Sequence, residues 1–123
     1  MAENKEYVVQ GQEDGVILIS DEVIATIAAA AVLEVEGASL NSNLGSDLAG
    51  KFGVRTLGKG IKLSVEENNV SLECSIVLEY GYDVIVVAQN VQQSVKNAVE
   101  SMTGFQVERV DVFVSAVTVA KKK

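Results

Sequence analysis

The chain has no histidine, no proline, no tryptophan and a single cysteine among its 123 residues. Each absence removes a class of function. Without histidine there is no Ser–His or Cys–His pair for nucleophilic catalysis. There is also no imidazole metal ligand, and one thiol cannot build a thiolate zinc site. One cysteine forms no internal disulfide, so nothing points to an oxidising compartment. Positive charge is scarce as well, with a net charge of −7. That disfavours a broad nucleic-acid surface, which depends on Lys and Arg neutralising phosphates. It equally disfavours indiscriminate attachment to anionic membrane. No stretch reaches the roughly 20 apolar residues needed to cross a bilayer. The opening MAENKEYVVQ lacks the apolar run of a signal peptide. The expectation is a cytoplasmic protein with no direct membrane insertion, held near a membrane only through a partner.

What is present is a core. Hydrophobic residues make up 48% of the chain, mostly branched aliphatics. A chain of this length suits one domain. Its organising stretch runs from Asp83 to Met102. Val84, Val87, Ala88, Val91, Val95, Ala98, Val99 and Met102 recur at steps of three and four and share one helix side. Gln89, Gln93, Asn97 and Glu100 occupy the other. Asp83 suits an N-cap and Gly104 a left-handed C-terminal cap. The uncharged amides Gln89, Gln93 and Asn97 are candidates for contact with another protein.

In chain order, residues 1 to 14 read as a loose acidic arm that stiffens, if anywhere, around Tyr7 to Val9. Val16 to Ile19 reads as a first strand. Ser20 then caps a helix with Asp21 and Glu22 in its first turn and Gly37 at its end. Ile24, Ile27, Ala28, Ala31 and Val35 form its expected core stripe. Ala29, Ala30 and Leu33 are expected to point away from it. Small residues there would let a second helix approach closely, so these three are candidates for a self-association surface and a homo-oligomer.

Five of the ten glycines fall in residues 41–60. Lys51, Arg55 and Lys59 there face only Asp47 and are candidates for an anionic contact. A short helix from Ser46 to Phe52 is expected, followed by a flexible return. Gly53 to Lys59 has the spacing of a phosphate loop. The next position needs Ser or Thr for Mg²⁺ and holds Gly60, and a strand follows where a helix should. Ile61, Leu63 and Val65 alternate with polar residues. After Glu67, Asn68 and Asn69, a turn, the period of two resumes from Val70 to Tyr80, so the two runs form a hairpin. Cys74 shares a face with Leu72 and Ile76 and is expected to be buried. Val107 to Val117 is the last strand, with Val110, Val112, Val114 and Ala116 on one face, and residues 120–123 form a basic tail.

The order is β-α-β-β-α-β. It predicts a two-layer α+β domain over residues 15–119, with a mixed three- to four-stranded sheet and two main helices on one face. The same order occurs in a ferredoxin-like plait. The step from the hairpin through the long helix to the last strand should be a right-handed crossover.

Four segments carry a resemblance: Gly15 to Gly37, GKGIKLSV at Gly58 to Val65, LEYGYDVIVVAQNVQQSV at Leu78 to Val95, and MTGFQVERVDVFV at Met102 to Val114. Together they resemble the alkaline-shock-protein family of Gram-positive bacteria, also called the envelope stress response family. The resemblance covers about Gly15 to Val119. It implies a non-enzymatic protein of envelope stress or membrane-lipid homeostasis, with no catalytic residues, metal or cofactor to carry over. It also implies a protein partner such as a membrane anchor or a lipid-synthesis enzyme. The alternative from a different class is a small-molecule domain that binds a nucleotide or acyl-CoA through the glycine-rich loop.

Overall fold

The computed structural model describes residues 6–9, 14–40 and 60–119. The expected helix at Ser46 to Phe52, the glycine-rich loop and the basic tail lie outside the described residues. Strands β1 (Glu6–Val9) and β2 (Ile17–Ser20) precede helix α1 (Asp21–Leu33). Strands β3 (Ala38–Leu40), β4 (Ile61–Glu66) and β5 (Asn69–Glu79) follow, then helix α2 (Val84–Thr103) and strand β6 (Gln106–Thr118).

The main sheet is built around β5. Strand β6 runs parallel to it along the whole of Asn69 to Glu79. On the other edge β4 pairs antiparallel with Asn69–Cys74, and β3 pairs antiparallel with Ile76–Leu78. Strands β3 and β4 therefore lie end to end along one edge, and the sheet is mixed, as the residue order implies. Helix α2 is the crossover between the parallel strands β5 and β6. Helix α1 lies against β3 and β4, and α2 against β6 and α1.

The first strand departs from expectation. Strand β2 pairs with β1 in a separate two-stranded ribbon, from Glu6↔Ser20 to Val9↔Ile17. Part of the expected loose arm is thus a strand, and the main sheet does not contain the first strand of a ferredoxin-like plait. Hydrogen bonding in pairs explains the change: Glu6–Val9 supplies β2 with a ladder, while the edge of β5 that remains is taken by β3 and β4.

Helix ends follow the local chemistry. Ser20 accepts a hydrogen bond from the Glu22 amide at 3.0 Å. Asp83 does the same for Val86 at 3.1 Å. Gly104 adopts φ 82 and donates to the Glu100 carbonyl. Thr103 closes the end further, donating to Val99 O at 2.7 Å and accepting from the Phe105 amide. Helix α1 stops at Leu33, ahead of Gly37, whose φ of +92 turns the chain into β3.

Between the layers lie Val70, Leu72, Cys74, Ile76 and Leu78 of β5, with Ile61 of β4, Val107 and Val110 of β6, and Val87, Val91, Val95 and Val99 of α2, all buried. Each fully buried aliphatic side chain contributes about 1.5–3 kcal/mol. From α1 come Ile24, Ala25, Ala28, Ala29, Ala31, Val32 and Val35.

That last set corrects one expectation. Ala29 has no exposed surface, so it does not point away from the core. The buried arc of α1 is rotated toward Ala25, Ala29 and Val32, and Ile27 sits at its margin, half-buried. The cause is α2, which packs alongside α1 and whose Ser94 hydroxyl donates to the Ala31 carbonyl at 3.0 Å. A helix that is apolar nearly all round is covered on two sides.

Candidate functional site

Cys74 is the only described residue with a nucleophilic thiol, and it lies wholly inside the core. Burial pushes its pKa up to about 12, with the Glu73 and Asp111 charges adding to the effect. A neutral, enclosed thiol is a poor nucleophile. The Tyr82 phenol is also shifted upward, first by the neighbouring Glu36 carboxylate, to which its hydroxyl donates at 3.4 Å. No group of three or more His, Cys, Asp or Glu residues among the described residues is placed to hold a metal ion.

One shallow, open depression of about 430 Å³ lies on the sheet face away from the helices. Lys62, Ser64, Ser71, Glu73, Arg109 and Asp111 line it. Its charges offset one another, with Arg109 and Asp111 joined at 3.0 Å. A ligand pocket is usually concave, mostly apolar and set with a few convergent polar groups. This depression is open and mostly polar, with only Leu63 and Leu72 adding apolar lining.

The more informative surface is on the helices. Val23, Ala30 and Leu33 of α1 are exposed, with Val23 and Leu33 each 48% accessible. They follow at steps of seven and three, so they form one outward stripe with half-buried Thr26. Glu22 and Glu34 border it. Ala30 and Leu33 were legible in the sequence. Val23 was not, because it falls in the acidic first turn. On α2, Gln89, Gln93 and Asn97 are all exposed, and Gln93 donates to Asn97 at 3.3 Å. The candidates from α1 and α2 thus lie on outer helix faces, except for Ala29. Lys51, Arg55 and Lys59 lie outside the described residues, as does the loop of the small-molecule alternative.

A second apolar set surrounds the start of α2. Val84, Ile85 and Val86 are 44%, 63% and 51% exposed, and Tyr80 is exposed beside them. No helix among the described residues is long and apolar enough to cross a membrane.

Comparison with known proteins places the chain in a family. The model of the alkaline shock protein 23 family, described as having a cell envelope-related function, matches residues 9–119. The chain is 33% identical over 108 residues to the uncharacterized protein Spy1535 of Streptococcus pyogenes, covering 87% of this chain and 82% of that one. It is 27% identical over 101 residues to the uncharacterized protein YqhY of Bacillus subtilis, covering 81% and 75%. It is 29% identical over 108 residues to the uncharacterized protein YloU of the same organism, covering 85% and 90%. No solved structure matches the chain.

Proposed function

The chain belongs to the alkaline shock protein 23 family, whose function is related to the cell envelope, and we propose that it is a non-enzymatic cytoplasmic adaptor of envelope stress and membrane-lipid homeostasis. It acts by holding another protein. The observation that carries this reading is the outward stripe of α1. Val23, Ala30 and Leu33 expose apolar surface on a helix that is already packed on two sides. A helix face turned to water ordinarily holds Lys, Glu or Gln. The amide row Gln89, Gln93 and Asn97 on α2 extends the contact with groups that pair without the desolvation cost of full charges. The partner is a protein of the envelope, either a membrane anchor or an enzyme of lipid synthesis.

The test is capture from a lysate that retains its membranes, with wild type and a Val23→Lys/Leu33→Lys variant as baits. Both side chains are half exposed, so the variant keeps its fold. The expected result is an anchor or lipid-synthesis enzyme retained by wild type and lost from the variant. Equal recovery on both baits would remove the α1 stripe from the proposal. A melting temperature raised by a nucleotide or an acyl-CoA would favour small-molecule binding, because a ligand stabilises the state that binds it.

A further inference from the structure

Strands β3 and β4 share more than an edge. Both run antiparallel to β5, and therefore in the same direction. Strand β3 descends β5 from Leu78 and ends with Leu40 opposite Ile76. Strand β4 begins with Ile61 opposite Cys74 and continues to Glu66 opposite Asn69. Between these two registers lies one position of β5, Ser75. Gly60 stands beside it: a Cβ built there would lie 3.3 Å from the Ser75 carbonyl oxygen. Along β5 one residue separates Leu40 from Ile61, whereas in sequence twenty do.

The side chains keep step across this gap. Successive side chains of a strand point to opposite faces. Ala38 and Leu40 pack on the core, and Ser39 between them is exposed. Ile61, Leu63 and Val65 pack on the same core, with Lys62, Ser64 and Glu66 exposed. With Gly60 as the residue opposite Ser75, the series Ala38–Leu40, Gly60, Ile61–Glu66 alternates without a break. Two unrelated strands could meet on one edge at any spacing and in either phase. A slip of one residue would turn every core side chain of β4 to the other face. Here spacing and phase both match a continuous strand.

We infer that β3 and β4 are the two halves of one strand, and that residues 41–59 are an insertion which the fold of the domain does not use. The interval between Leu40 and Gly60 is then a break in the sequence and not in the sheet. A connection of this length inside a compact domain is uncommon and usually belongs to function rather than to the packed core. Every pairing with β5 stays in place when the two halves are joined. Helix α1 rests on β3 and β4 themselves, so its outward stripe does not depend on what lies between them. What residues 41–59 do is therefore separable from the contact proposed for Val23 and Leu33.

Deleting residues 41–59, so that Leu40 is bonded directly to Gly60, tests the inference. The expected product is folded, with Leu40 still opposite Ile76 and Ile61 opposite Cys74 by cross-strand nuclear Overhauser contacts. Its folding equilibrium should shift toward the native state by about tenfold or more, because a long loop no longer has to be closed. A direct join demands an extended Gly60, so a second variant replaces residues 41–59 with Gly-Ser-Gly-Ser and should be at least as stable as wild type. Loss of structure or of stability in both variants overturns the inference and gives residues 41–59 a share in the core. So does a shifted register across the join. In the capture assay both variants should retain the partner that Val23→Lys/Leu33→Lys loses. A folded variant that loses it overturns the separation of residues 41–59 from the α1 contact. If wild type captures no partner, the adaptor reading falls and the folding measurements decide the insertion by themselves.

Discussion

The ring of Tyr82 lies flat against Gly37. A Cβ built on Gly37 would meet the ring carbons at 2.7 and 2.8 Å, on a backbone whose φ is +92. The contact ties the turn after α1 to the entry of α2. Both reasons for glycine act at once, the close approach and the left-handed φ. Gly37→Ala should therefore cost about 2–4 kcal/mol, the sum of one backbone strain and one steric clash. Chemical denaturation measures it. Adding Tyr82→Ala should recover the steric part only, and a double variant as stable as Tyr82→Ala alone would show that the backbone carries no strain.

The β4–β5 turn contains a correctable strain. Positive φ in this turn falls on Glu67, at φ 57, and not on an asparagine, within the two-residue loop closed by the Glu66↔Asn69 pair. A glutamate has a Cβ to accommodate and no short side chain to bond its own backbone. Glu67→Asn should stabilise the protein by about 0.5–1 kcal/mol. A lower melting temperature would contradict this.

Ala29 and Ala30 are neighbours in sequence with opposite surroundings. Ala29 is wholly buried and Ala30 exposed. Ala29→Leu should cost about 1–3 kcal/mol through overpacking. Ala30→Leu should be neutral within about 0.5 kcal/mol. Paired urea melts of the two variants check the rotation of the helix directly.

Cys74 makes a statement about pH. Its folded pKa, about 12, lies above the ordinary value of 9.0. The unfolded chain releases the thiol proton first, so the stabilising effect is complete below about pH 9 and is lost as the pH rises toward about 12. The folding equilibrium should weaken by at most about tenfold per pH unit across that window. Cys74→Ala should flatten this part of the pH profile. At neutral pH a thiol reagent should label wild type only as fast as the protein opens.

Glu100 does two jobs at the end of α2. Its backbone carbonyl accepts from Gly104, and its carboxylate accepts from the Val107 amide. Glu100→Ala leaves that amide without its acceptor and should cost about 1.5–3 kcal/mol, the range for a hydrogen bond to a charged group. The Val107 amide should exchange at least tenfold faster, following about 1.4 kcal/mol or more of lost protection. Unchanged exchange would mean that the edge is protected by something else.

The elements with one strong signal were legible from sequence. Strand β5 alternates over eleven residues, and α2 carries its caps at Asp83 and Gly104 where the pattern ends. What escaped depends on neighbours. The apolar pattern of α1 does not state how many elements cover it, so a helix rotation of one residue separated Ala29 from the expected surface. The phase of β6 is equally silent. The bulge at Ser115 puts Val117, paired with Leu78, in the inward row instead of Ala116, paired with Val77. Neither Glu108 nor Ser115 is the glycine that would announce a bulge. Of the candidate surfaces, the α2 amides and Leu33 could be read from helical spacing. The edge of β6 could not, because the Gln92 side chain that donates to the Val110 carbonyl and the Glu100 carboxylate that accepts from the Val107 amide reach it from α2.

Placing β3 and β4 end to end makes the main sheet three strands wide, although four strands compose it. Its outer strand axes are then only about 10 Å apart. Two packed helices have axes about 8–10 Å apart and bodies about 10 Å thick, so their layer is about 20 Å across. The upper layer is wider than its floor, and α2 overhangs β6 like an eave. That overhang brings Gln92 and Glu100 outside the strand they cap.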